Sequence, residues 1–205
     1  MSNYIKREDD RYSYLYNKKK WPDGPVRDVC DKMEDHISTE NKSILDCGCG
    51  HSTLRKYIKF KTYTGIDVAS YQINKNISNN KDSNVTFIHG SLTETLPFKD
   101  NEFDYVFCLD VLEHIPEKYI DVVLKEMFRV GKVFIYSICL TESKGLDKNG
   151  NNLHLTVKDE LWWKHKIKNC GYIVKHGEQI KNGRTILLKL IKPDNSKRWS
   201  ECIGP

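Results

Sequence analysis

The sequence predicts an α/β fold, a mostly parallel sheet between helical layers with an antiparallel hairpin at one edge. Three observations carry it. From Ser43 to Ser137, short apolar runs of strand length alternate with segments of helical period. Four of these runs end in a polar or glycine turn, at Asp46, Asp67, Gly90 and Asp110. After Ser137 the alternation stops, and two final runs flank a Gly/Asn-containing link at 177–183, the mark of a hairpin.

In chain order, residues 1–24 read as a polar N-terminal arm carrying Tyr12, Tyr14 and Tyr16, which either cap a ligand pocket or dock loosely. Pro22-Asp23-Gly24-Pro25 is a turn signal. The core, 25–191, opens with a helix from Val26 to about Ile37, since Val26, Cys30, Met33 and Ile37 recur at helical spacing. Strand 43–47 precedes a helix from Thr53 to about Lys59. Strand Thr62–Ile66 precedes a helix from Ser70 to about Ile77. Strand Val85–His89 leads into an irregular link, 91–101, that contains Pro97. Strand Phe103–Cys108 precedes a helix from Pro116 to Val130, with proline in its first turn and Gly131 just past its end. Strand Val133–Ser137 and a polar loop, 141–153, follow. Thr156, with Asp159 three residues on, reads as the cap of a helix whose apolar face is Leu161, Trp162, Trp163, Ile167 and Cys170. Strands near Tyr172–Lys175 and Arg184–Ile191 complete a set of seven, and 192–205 reads as a flexible tail.

Composition sets the class. At 39% hydrophobic and 30% charged over 205 residues, the chain reads as one globular domain. Its apolar runs are too short for a membrane span, and Met1-Ser-Asn-Tyr-Ile-Lys lacks an apolar signal core, so a cytoplasmic location is expected. Seven scattered cysteines, an odd number mostly within apolar segments, suit free thiols in a reducing compartment. The net charge of +5 is uneven: residues 142–205 hold 13 Lys and Arg against 7 Asp and Glu, the rest 20 against 21. A basic end attracts nucleic acid or other anions, but without an Arg-rich block or interleaved aromatics a solvated Lys-rich face is favoured.

The chemistry centres on Ser43-Ile-Leu-Asp-Cys-Gly-Cys-Gly-His-Ser-Thr53. A strand runs into two glycines, Gly48 and Gly50, and a helix start near Ser52 or Thr53. Such a turn lets a ligand approach bare backbone, and the helix start offers N–H groups. Thr53 stands where a dinucleotide fingerprint needs its third glycine, and no Gly-Lys-Ser/Thr phosphate loop follows. Asp46 before the turn repels a diphosphate and suits an ammonium group. Asp67, 17 residues past Gly50, is placed to accept both hydroxyls of a ribose. A helix cap is its structural alternative.

Taken together, Ile44-Leu-Asp-Cys-Gly-Cys-Gly50, Tyr63-Thr-Gly-Ile-Asp67, Phe87-Ile-His-Gly-Ser-Leu92 and Phe103-Asp-Tyr-Val-Phe-Cys-Leu-Asp-Val-Leu-Glu-His-Ile115 resemble the Rossmann-type, class I S-adenosylmethionine-dependent methyltransferases, type 11-like. The resemblance covers roughly 25–191 and implies a Rossmann-like three-layer sandwich with a seven-stranded sheet. It also implies roles. Asp46 with the backbone of Gly48, Cys49 and Gly50 would hold the methionine end. Asp67 would hold the ribose and Val68 border the adenine, with Ser91 and Leu92 against the same ring. Leu109 and Asp110 would line the meeting point of cofactor and acceptor. Ser52 and Ser91 depart from the family, which often has glycine and aspartate there.

The implied reaction moves a methyl group from S-adenosylmethionine to oxygen or nitrogen of a small or medium acceptor. A base is needed only if the acceptor must lose a proton. His114, four residues past Asp110, is the first candidate, against a structural histidine; Asp110 shares its side if the turn is helical. His154 and Tyr16 follow. The alternatives are a nucleic-acid methyltransferase using the basic C-terminal third and a non-catalytic cofactor-binding module. No metal is expected, since Cys47, Cys49 and His51 lack a second ligand pair. Trp163 is read as core, with base stacking as its functional alternative.

Overall fold

The computed structural model describes residues 2–18 and 26–194. The turn at 22–25 and the tail from 195 on lie outside the described residues. Seven strands form one sheet: β1 Ser43–Cys47, β2 Thr62–Asp67, β3 Val85–His89, β4 Phe103–Leu109, β5 Gly131–Cys139, β6 Ile173–Ile180 and β7 Thr185–Ile191. Their spatial order is β3-β2-β1-β4-β5-β7-β6. β1 to β5 are parallel, and β7 enters antiparallel between β5 and β6. The order reverses between β1 and β4, where Cys47 pairs with both Ile66 and Cys108. In open α/β sheets a ligand crevice forms outside the strand ends at such a reversal.

Among the described residues five α-helices accompany the sheet: α1 Asn3–Asn17, α2 Val26–Met33, α3 Ser70–Asn79, α4 Glu117–Val130 and α5 Glu160–Asn169. One apolar cluster gathers Leu124 and Met127 of α4 with Trp163 and Ile167 of α5 against one face of the sheet. The other gathers Val29 and Met33 of α2 with Ile73 of α3 against the opposite face. This is a three-layer sandwich. α4 shows why: Ile120, Val123, Leu124, Met127 and Val130 form one buried stripe, each side chain contributing about 2 kcal/mol on leaving water. No helix among the described residues is long and apolar enough to cross a membrane.

Several expected boundaries change. The arm holds a full helix, α1, whose buried face is Ile5, Glu8, Arg11, Leu15 and Tyr16. Charged and phenolic residues on that face hid its period. The helix expected to reach Ile37 tightens after Met33 into a 3-10 turn, Glu34–His36. The helix expected over 53–59 is a single 3-10 turn, Thr53–Lys56, entered from a left-handed Ser52 at φ 54°. Asp159, not Thr156, caps α5, accepting from the Trp162 amide at 2.8 Å. Thr156 instead donates its hydroxyl to the Ile115 carbonyl at 2.7 Å. Leu161, expected on the apolar face of α5, is 63% exposed. Trp163 is fully buried, which excludes base stacking.

Candidate active site

At the strand ends around the β1/β4 reversal lies a cavity of about 550 Å³. Asp46, Gly48, Cys49, Gly50, Asp67, Val68, Ser91, Leu92, Leu109, Asp110, His114, His154 and Tyr16 all border it. Most of these positions meet because four parallel strands, β3, β2, β1 and β4, end side by side, and Tyr16 and His154 join them from outside the sheet.

The glycine turn is held from beneath. Gly48 and Cys49 donate their N–H groups to the Ile66 carbonyl at 2.8 and 3.1 Å. Gly50 donates to Asp67 Oδ2 at 2.9 Å, and its carbonyl accepts from Asn76 Nδ2 at 2.7 Å. The amides of Gly48, Cys49 and Gly50 are thus taken up within the protein. What the turn offers is closeness. Gly48 and Gly50 have φ of 73° and 46°, and a Cβ would meet Val111 Cγ2 at 2.4 Å and the Tyr16 hydroxyl at 2.6 Å. Ser52, standing where the family often has glycine, also adopts a left-handed conformation, one that costs a non-glycine residue roughly 1–2 kcal/mol.

Two carboxylates flank this turn. Asp46 accepts from the Tyr63 hydroxyl at 2.5 Å. Burial raises it to about 7, with the Tyr63 hydrogen bond pulling down and the neighbouring Asp67 pushing up. Asp67 accepts from Ala69 N at 2.8 Å through Oδ1 and from Gly50 N through Oδ2. Burial raises it too, against those two amide bonds. It does not cap α3, whose N-cap is Ala69. Each Asp67 oxygen keeps acceptor capacity for one more donor. Ser91 turns its hydroxyl to Thr93 Oγ1 at 2.9 Å.

α1 roofs the cavity. Tyr4, Glu8, Tyr12 and Tyr16, four residues apart, line it from one helix face. Asp9 fastens α1 to the start of α3, accepting from Ser70 N and Ser70 Oγ, both at 2.8 Å. Arg11 fastens it to the 141–153 loop, donating to the Asn152 carbonyl at 3.0 Å and pairing with Asp147 at 3.5 Å. The spacing of Tyr4, Tyr12 and Tyr16 in multiples of four was the available signal for this helix.

At the other end, Asp110 is left-handed, φ 54°, and the turn at Leu112–His114 is a 3-10 helix. The Asp110 carboxylate accepts from Ser137 Oγ at 2.7 Å and from Lys181 Nζ at 3.3 Å. His114 places Nδ1 2.9 Å from the Leu153 carbonyl. Burial, with His154 nearby, lowers it to about 3, against the raising effect of that carbonyl. A neutral imidazole held in this way is a weaker base than an exposed one, which favours the structural alternative for His114. His154 stacks edge-on against His114, centroids 4.7 Å apart, with Nδ1 2.6 Å from the Thr141 carbonyl. Cys139 beside it is brought down to about 7: burial opposes, while His154 and Thr141 more than offset it. Glu113 was not singled out from sequence. It is fully buried, borders the cavity, and burial pushes its carboxyl well above the usual range. Cys47 and Cys49 pack in opposite apolar clusters and do not converge.

Comparison with known proteins fits this geometry. Residues 45–133 match the family described as "Methyltransferase domain". The chain is 27% identical over 158 residues to cycloartenol-C-24-methyltransferase 1 of Oryza sativa subsp. japonica, covering 69% of this chain and 44% of the rice enzyme. It is 28% identical over 183 residues to a ubiquinone biosynthesis O-methyltransferase of Pseudomonas putida, covering 84% of this chain and 68% of that one. The chain thus spans less than half of the rice relative's length. In fold it resembles the Burkholderia thailandensis 1,6-didemethyltoxoflavin-N1-methyltransferase, solved with its acceptor and S-adenosylhomocysteine, at TM-score 0.67 and 14% identity over 93% of this chain and 88% of that one.

Proposed function

We propose that the chain is a Rossmann-like S-adenosylmethionine-dependent methyltransferase, and that it transfers a methyl group from that cofactor to oxygen or nitrogen of a small or medium acceptor. The observation that supports this most is the pair of buried carboxylates, Asp46 and Asp67, on either side of a turn where only glycine fits. Asp46 has a tyrosine hydroxyl as its partner and Asp67 has two amides. A ligand with an ammonium group and a ribose supplies the missing counter-charge and the missing donors.

On this reading Asp46 accepts from the cofactor's amino group. The bare faces of Gly48 and Gly50, with Cys49, accommodate the methionine chain. Asp67 receives the ribose hydroxyls. Val68 and Leu92 enclose the adenine, and Ser91 borders it with a hydroxyl already shared with Thr93. Bound S-adenosylmethionine supplies a sulfonium-activated methyl group, so the chain's own contribution is alignment and exclusion of water. Leu109 and Asp110 shape the junction with the acceptor, and the tyrosines of α1 close the roof. Calorimetry with S-adenosylhomocysteine tests the reading, which fails if no binding is measured at millimolar ligand.

A second reading rests on the basic depression beside Cys139, lined by Lys144, Lys181 and Arg184 at the cavity mouth. It favours an acceptor with anionic groups. An affinity that falls steeply with salt points to a nucleic-acid strand, and one that falls shallowly to a small carboxylate or phosphate.

A further inference from the structure

We propose that Glu113, His114 and His154 form a binding site for one divalent transition-metal ion, with an open position facing the acceptor end of the cavity. Their ligand atoms all lie within 4.8 Å of one another. Ligands on an ion with bonds of about 2.1 Å stand about 3.4 Å apart. The cluster therefore needs to contract by up to about 1.4 Å, a movement available to His154, half-buried on its loop.

Two further features mark these residues as ligands. The first is Glu113. Its Oε1 accepts from the Cys139 amide at 3.1 Å, whereas Oε2 is buried without a hydrogen-bond partner. A carboxylate oxygen left so inside a protein costs about 1–3 kcal/mol, and a cation removes that cost. The second is the orientation of both imidazoles. Each directs Nδ1 at a backbone carbonyl, Leu153 for His114 and Thr141 for His154. A carbonyl only accepts, so Nδ1 carries a proton in each ring and Nε2 is the nitrogen left to take an ion, in His154 once its ring gives up its interaction with Cys139. Metal-binding histidines are held in this way, with the far nitrogen donating to a fixed acceptor.

Two imidazoles and one carboxylate suit Zn²⁺, Co²⁺, Mn²⁺ or Fe²⁺ better than Mg²⁺ or Ca²⁺. Three protein ligands leave a fourth position free. The consequence for the acceptor rests on the methyl-transfer reading of the preceding section. A hydroxyl bound at that position becomes more acidic and loses its proton to solvent. Its oxygen lone pair forms the O–CH₃ bond as the S–CH₃ bond breaks, the bonding pair stays on sulfur, and the ion keeps its charge. An oxygen acceptor is thereby favoured over nitrogen.

The test is Co²⁺ binding to the full chain without cofactor, followed by visible absorption. The expected result is one ion per chain with weak d–d bands and little sulfur-to-metal charge transfer. Glu113→Gln and His154→Ala should each weaken binding by more than a hundredfold, beyond the roughly 10- to 100-fold that loss of an outer partner produces. S-adenosylhomocysteine calorimetry on His154→Ala reports whether the fold and cofactor site persist, so failure of this site and failure of the methyl-transfer reading give different outcomes. No binding at millimolar Co²⁺, spectra dominated by thiolate charge transfer, or unchanged affinity in a folded His154→Ala protein would overturn the proposal.

Discussion

Asp67 Oδ2 accepts the Gly50 amide at 2.9 Å, so one carboxylate both fixes the glycine turn and faces the cavity. Asp67→Ala removes both functions. Affinity for S-adenosylhomocysteine should fall 10- to 100-fold, the worth of about 1.5–3 kcal/mol for hydrogen bonds to a charged group. Stability in urea should drop by about 1–3 kcal/mol, because the Gly50 amide is left buried without an acceptor. Calorimetry and urea melts measure the two separately. An unchanged affinity counts against the ribose role.

Gly50→Ala puts a methyl 2.6 Å from the Tyr16 hydroxyl at φ 46°. Backbone strain and collision together should cost about 1–3 kcal/mol and weaken cofactor binding. In a Tyr16→Phe background the nearest ring atom stands at 3.5 Å, and the collision disappears. The double variant should therefore be more stable than the sum of the single effects implies. Additive losses in a double-mutant cycle would show that α1 does not rest on the turn.

Asp46, raised to about 7, is half protonated near neutrality in the ligand-free protein. Only its ionised form attracts an ammonium group. Affinity for S-adenosylhomocysteine should rise with pH through about 7 and then level, and Asp46→Asn should flatten the curve. Stability moves the other way. A carboxyl raised on folding contributes stability that is complete below its unfolded value of 3.8 and lost as pH rises to about 7. The stability of Asp46→Asn relative to the parent should therefore increase with pH across that window. Urea melts at pH 5 and pH 8 compare them.

Asp9 joins two helices, accepting from Ser13 on α1 and from Ser70 at the start of α3, each at 2.8 Å. Asp9→Ala should cost about 1 kcal/mol, as loss of a helix cap does. It also frees one side of the roof. Stopped-flow dissociation of S-adenosylhomocysteine should be several-fold faster, with the association rate little changed. An unaltered dissociation rate would mean that α1 does not retain the ligand.

How far sequence reached depends on what signalled each feature. The strands of the parallel sheet were legible because each is a short apolar run closed by a turn residue. Asp46, Gly48, Gly50, Asp67 and Asp110 stood out because their positions at strand ends imply a common edge. α1 escaped, since its buried face includes Glu8 and Arg11, which pair with each other and are met by Arg7 and by the distant Asp147 and Asn152 carbonyl. Glu113 escaped for a related reason. Nothing local distinguishes a buried glutamate in a 3-10 turn from a solvated one, and its amide partner, Cys139, is 26 residues away. The short turn after Ser52 could not be told from a helix because both begin with the same residues.

The placement of β7 also bears on how the molecule is made. Residues 185–191 lie between β5 and β6, hydrogen-bonded to both. During synthesis β5, with its apolar Phe134, Tyr136 and Ile138, emerges more than forty residues before the strand that covers its open side. Until then the nascent sheet presents a bare edge of the kind that recruits other chains. A ribosome-bound fragment ending before Thr185 should accordingly hold chaperones, and release of the following segment should discharge them.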